Sequence, residues 1–354
     1  LVTGAFTQDI AASNTAGSVS LGGNITTTDS ALSIVTPVTL TGDVTLGSGS
    51  GTAGDVTLAA TVNGGHELTV DAGTGAVELG GVVGGSTDLA SLTVTGTTIS
   101  LQDVTTTGAQ SYTGAITTNS TYTSSGGAIE FDGNVIVADA FAVDTTASGT
   151  SSTGANIGIT GELFSADGVA NTASFNAGTA GVITIDGAIG ANRTGEENQL
   201  GGLTVTQSAN TTFSGDVTST TVTLTDTEGT IEFGGALTAD TLTTADQSYN
   251  VSLLAGGTVT NAVDFLNTGT VTLGDAIADS FTFSGGVATT GNASNPSQVN
   301  LAGTVASSGA AIAMGAVTLD DDTVIDSGNG AAGTIALGAV SSQGHSLILD
   351  SGST

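Results

Sequence analysis

Apolar residues recur at every second position in short runs along the whole chain. Examples are Val19/Leu21, Val38/Leu40, Val56/Leu58, Leu68/Val70 and Val77/Leu79 in the first quarter, and Val271/Leu273, Ile312/Met314, Val317/Leu319 and Leu347/Leu349 in the last. Thr, Ser, Asp and Glu occupy most of the positions between them. Alternation with a period of two buries one face of a strand and leaves the other to water. The runs come about every 10–12 residues and are separated by Gly, Asn, Asp and Ser, the residues of tight turns. No stretch sustains a helical spacing. The pattern predicts an all-β chain.

Repetition then chooses between two all-β architectures. The run Gly75-Ala-Val-Glu-Leu-Gly-Gly81 returns as Gly127-Ala-Ile-Glu-Phe-Asp-Gly133 and Gly229-Thr-Ile-Glu-Phe-Gly-Gly235, with looser copies at Gly17, Gly54, Gly181, Gly269 and Gly333. The stretch from Gly51 to Gly73 echoes that from Gly330 to Gly352 without a gap, a shift of 279 by subtraction. A shorter echo joins Leu68–Thr74 to Ala173–Thr179 at a shift of 105, and Leu92–Thr95 to Leu203–Thr206 at 111, which places six extra residues between. Sandwiches and barrels need no such repetition. In a parallel β-helix each coil stacks on the one before, so like residues lie on like. The expectation is one continuous β-solenoid over residues 1–354, with 191–199 as an outward loop insertion. Coils of ~20–24 residues would number roughly 15–17. Stacked at about 4.8 Å, they would make a rod of roughly 75 Å.

Composition narrows what such a fold can do. The chain has 354 residues, 55 of them Gly without the three-residue period of collagen, and only 2 Pro, so a long sheet keeps nearly all its backbone donors. One base, Arg193, stands against 32 acids, a formal net charge of −31. No basic face can be built for nucleic acid, and anionic membrane surfaces are disfavoured for the same reason. Cations, cationic proteins and neutral glycans remain as partners, and the acidity also keeps a long β-surface soluble. There is no Cys, hence no disulfide or thiolate site. No run of 18 apolar residues predicts a membrane span. The chain starts in mid-pattern at Leu1 without Met, which reads as a segment continued end to end in a larger protein.

The phrases Leu92-Thr-Val-Thr-Gly96 and Val104-Thr-Thr-Thr-Gly-Ala-Gln-Ser-Tyr-Thr-Gly-Ala115, with the turn Gln343-Gly-His345, resemble filamentous-haemagglutinin-like exoproteins and autotransporter passengers, which are large repetitive bacterial surface proteins. The resemblance implies a right-handed parallel β-helix, export through an outer-membrane pore, an extracellular location at the bacterial surface, and adhesion or matrix roles. Glycan or cell-surface ligands would then be bound through other regions of the parent protein.

Candidate chemistry is sparse. Asp320-Asp-Asp322 followed by Asp326 is the densest acidic cluster, and its oxygens suit calcium; the glycine-rich nonapeptide of calcium-binding β-rolls is absent. No other cofactor is indicated. His66 and His345 hold equivalent places in the 279-residue echo, many coils apart, which predicts a periodic turn role rather than a shared metal or active site. Glu196-Glu197 beside Arg193 is a weaker acidic group. A polysaccharide lyase needs a base near its substrate acid, and Arg193 is alone. A glycosidase needs two carboxylates at a set separation, but the sugar-stacking platforms available are only Tyr112, Tyr122 and Tyr249. The sequence therefore reads as a non-catalytic stalk or filament segment of an adhesin-type surface protein. A self-assembling surface-layer or filament subunit is the alternative, and a glycan-active β-helix enzyme comes third.

Overall fold

A computed structural model describes residues 4–8, 17–49, 54–166, 168–191 and 198–352. These residues form strands and turns, with no helix among them, so none is long and apolar enough to cross a membrane. Strand pairings are parallel throughout; the antiparallel contact Ser125–Thr146 is an isolated bridge. The protein is a parallel β-solenoid. Its Cα positions divide into two compact units, Leu1–Ala166 with Phe175–Gly181, and Asp167–Ser174 with Val182–Thr354. Each is described by itself.

In unit 1 the chain runs in turn over three sheets, A, C and B, before returning to A. Inward residues stack in register along each. Sheet A carries Leu32, Val56, Val77, Ile99, Ile116, Val135 and Leu163. Leu46, Val70, Val94, Tyr112, Phe131 and Ile159 lie along sheet B. Sheet C has Val19, Val38, Val62, Val83, Val104, Tyr122 and Val143. Apart from Val19, these side chains are at most 3% exposed. Burying each Val, Leu or Ile contributes roughly 1.5–3 kcal/mol. A coil cannot bury its inward face alone, so each depends on its neighbours.

Strands of sheets B and A are often one continuous run that bends at a corner. Ser91–Leu101 turns at Gly96, where its register with Gln110–Thr118 shifts. Glycines stack at this corner. At Gly114, with φ of 137°, a Cβ would sit 1.9 Å from the carbonyl oxygen of Gly96 below. Gly75, Gly96 and Gly133 similarly face the backbones of Gly54, Gly75 and Gly114. The backbones approach too closely for any side chain.

Unit 2 repeats the scheme. One ladder carries Ile185, Phe213, Phe233, Leu253, Leu273, Leu301 and Leu319. Another carries Val217, Leu237, Gly257, Phe281, Val305, Ile325 and Leu349. A separate sheet stacks Val263, Val287, Ile312 and Ile335.

Two sequence expectations change. Coil length is less uniform than ~20–24 residues: by subtraction of paired positions it falls to 17 between Ile99 and Ile116 and rises to 28 between Val135 and Leu163. The ladder constrains only the strands, so turns take up the difference. The repeated glycine-closed run also does not keep to one sheet, as like stacking on like would require. In unit 1 its Gly54 and Gly75 copies lie on sheet A, its Gly127 copy on sheet B and its Gly17 copy on sheet C. All three sheets face the same apolar interior, so the same local pattern suits any of them. Residues 192–197, the heart of the expected insertion, lie outside the described residues, and with them Arg193, Glu196 and Glu197.

Candidate functional site

Polar chemistry concentrates at the corners, where a strand begins. There a backbone N–H just ahead of the ladder, at an exposed or half-buried position, bonds to the coil below through something other than a backbone carbonyl. A side chain supplies the acceptor. The Oδ1 of Asp43 accepts from Glu67 N at 3.1 Å, Asp55 from Ala76 N at 2.9 Å, Asp103 from Thr121 N at 2.9 Å and Asn134 from Glu162 N at 3.0 Å. In unit 2, Asn210 accepts from Thr230 N at 3.0 Å, Asp216 from Ala236 N at 2.8 Å and Asn250 from Thr270 N at 2.8 Å. Each acceptor sits directly before an inward residue, and each donor directly before that residue's partner one coil on. This is the sheet counterpart of a helix N-cap. Sequence reasoning missed this role, although the signal was present: Gly42-Asp-Val44, Gly54-Asp-Val56, Gly133-Asn-Val135 and Gly215-Asp-Val217 share one short motif. Many acids thus stitch coil to coil.

The densest acidic cluster joins the same scheme and gains a histidine. It lies on Val317–Asp326, where Asp320 is exposed and Asp321 and Asp322 are half-buried. Asp322 Oδ1 accepts from Ser346 N at 2.7 Å, and Asp321 Oδ1 accepts from Asp322 N at 2.7 Å. His345 Nδ1 lies 3.6 Å from Asp321 Oδ1. The Ser346 backbone N–H, then its hydroxyl, and more weakly His345, hold the Asp322 carboxyl below the usual range against a small opposing effect of burial. Ligand atoms of Asp321, Asp322 and His345 all fall within 4.8 Å of one another. Two carboxylates and an imidazole suit a borderline metal ion better than calcium, which takes six to eight oxygens. Asp326 belongs elsewhere: it accepts from Gly328 N at 2.7 Å and pairs in register with Asp350.

The two histidines do similar things in their own units. His66 Nδ1 lies 3.6 Å from Asp43 Oδ1, an acid of the preceding coil, as His345 does with Asp321. Both sit in a turn just ahead of a strand, Glu67–Asp71 for one and Leu347–Asp350 for the other.

The tyrosines are interior. Tyr112 and Tyr122 are 0% exposed and Tyr249 is 1%, so none can stack a sugar at the surface. Tyr112 donates to Gln110 Oε1 at 2.8 Å, Tyr122 to Thr118 Oγ1 at 3.0 Å and Tyr249 to the Leu224 carbonyl at 2.8 Å. Burial raises all three phenols, Tyr249 to about 12. Glu130 is raised by burial as well, its carboxylate lying over Gly158 where a Cβ would be 1.9 Å away. No protein-family model, curated protein or solved structure matches the chain.

Proposed function

We propose that this chain is a non-catalytic stalk or filament segment of an extracellular, adhesin-type bacterial surface protein. The observation that supports this best is the use of its acids and amides: at corner after corner they bind the next coil's backbone instead of converging on a cavity. Stacked coils joined by backbone ladders and by these side-chain stitches resist being pulled apart, which suits an element that holds something else at a distance. The outward Thr, Ser and acidic positions keep it soluble.

Small-angle scattering with sedimentation tests this reading. An elongated monomer of constant mass is expected over a wide concentration range; a compact particle would sink the idea. Polymers that grow with concentration would favour the self-assembling surface-layer subunit. Cleavage of a polysaccharide, lost on replacing a carboxylate pair, would replace the reading with a glycan-active enzyme.

A further inference from the structure

Outward positions on the coils are mostly Thr, Ser and acids, but one outward column in unit 2 changes character. It runs Ser280, Thr304, Val324, Ile348 in register. Ile348 is 57% exposed, and Ile277, from the adjacent turn, is 61% exposed. The two isoleucines line one groove of about 170 Å³ with Val324 and Gly303, while Asp322 and Ser346 form part of its wall. The groove is pre-shaped. Asp279 Oδ2 accepts from the N–H groups of Asp275 at 3.0 Å and Ala276 at 2.9 Å, closing the turn that presents Ile277. The Asp279 carbonyl accepts from Thr304 N at 2.8 Å, pinning that turn to the sheet. Gly303, with φ of 76° and beside a register shift, lets the turn lie close: a Cβ there would meet the Asp279 carbonyl oxygen at 2.3 Å.

Its size and charge select the occupant. The volume is well under the ~300–1,000 Å³ of pockets that enclose small molecules, and suits an aliphatic side chain. Asp321 and Asp322 stand at one side, with Asp275 and Asp279 in the Ile277 turn, and among the described residues His345 is the one nearby group able to carry positive charge. A second copy would bring another net charge of −31 to this acidic rim, and an anionic bilayer is repelled likewise. We infer that the groove docks an extended segment of a cationic protein partner, with an aliphatic side chain between Ile277 and Ile348 and a neighbouring Lys or Arg against Asp321 and Asp322. The contact is independent of the stalk reading.

The test is fluorescence anisotropy of the whole chain with a labelled heptapeptide alternating lysine and isoleucine. Saturable binding is expected, weakened about ten-fold or more by Ile277→Ser with Ile348→Ser, from the loss of aliphatic burial. A lysine–serine peptide of equal charge should bind about ten-fold less tightly, and this arm needs no variant to fold. Asp321→Asn with Asp322→Asn should weaken binding and flatten its salt dependence, since Asn still accepts the Ser346 N–H. Equal binding of both peptides, or unchanged affinity in the isoleucine variants, would reduce the effect to bulk charge attraction and overturn the proposal. Dimers of the chain alone, abolished by Ile348→Ser in sedimentation, would overturn it in favour of a second copy.

Discussion

In unit 1 five aromatic rings touch in sequence through the interior: Tyr112, Tyr122, Phe131, Phe141 and Phe175, with neighbouring centroids 5.1–5.8 Å apart. In unit 2 the described rings meet in smaller groups, Phe213 with Phe233 at 4.9 Å, and Phe283 with Phe265 and Phe281 at 6.4 and 6.5 Å. Coil length differs in parallel. Around the ring stack, successive steps on sheet A are 17, 19 and 28 residues by subtraction. From Thr211 through Ile231 and Val251 to Val271 every step is 20. Where coils are equal, like sits on like, and Asn210 and Asn250 stitch at the same interval. Where they are unequal, rings that span neighbouring coils fill the interior, with their hydroxyls matched to Gln110 and Thr118. The ladder is common to both units; the filling follows the turns.

The largest expected effect probes what the units share. Gly114 and Gly257 have φ of 137° and 140°, and a Cβ on either would meet a carbonyl oxygen at 1.9 or 2.0 Å. Gly114→Ala and Gly257→Ala should each cost roughly 2–4 kcal/mol through backbone strain and overpacking. Hydrogen exchange resolved by unit reads this, and a large loss from only one of the two substitutions would break the claim that both units pack backbone this closely on backbone. Next comes the filling. Phe131 contacts three rings and Phe233 one. Phe131→Leu should therefore cost about 2–4 kcal/mol in urea unfolding and Phe233→Leu about 1 kcal/mol; equal losses would erase the difference between the units.

Alkali separates them more gently. Each buried phenol keeps its proton in the folded protein at pH values where the unfolded chain, with a value near 10, releases it. The stability these phenols contribute is complete below about pH 10 and declines above it, in the case of Tyr249 until about 12, by about 1.4 kcal/mol per pH unit per tyrosine. With two such residues against one, unit 1 should lose stability about twice as steeply. Tyrosinate absorbance should rise only as the protein unfolds, and a simple titration near pH 10 would contradict the burial. The smallest effect is expected at Asn250→Ala, about 1 kcal/mol for the lost Thr270 hydrogen bonds; thermal melting checks it.

Alternation was enough to read strands from Val19 to Leu349 and buried inward residues as far as Leu319, because burial on one face is a local property of spacing. Repetition pointed correctly to parallel stacking. Neither told which sheet a run joins: Gly75-Ala-Val and Gly127-Ala-Ile look alike yet lie on sheets A and B. At the acidic cluster, adjacency in sequence grouped Asp320, Asp321, Asp322 and Asp326, whereas stacking brought His345 to Asp321 and Asp322 and left Asp326 against Asp350. Ile277 gave no sign in sequence of lining a groove with Ile348.

By itself, then, the sequence determined that the chain is all-β, parallel and repeating, and that its surface is acidic. These follow from two-residue periodicity, glycine punctuation and charge count, all local or additive quantities. The tertiary structure decided coil length, sheet assignment, which acids stitch and which gather at a histidine, and where an aliphatic groove opens among polar columns. Those depend on how many residues each turn consumes before the chain rejoins the ladder, and the ladder accepts a wide range.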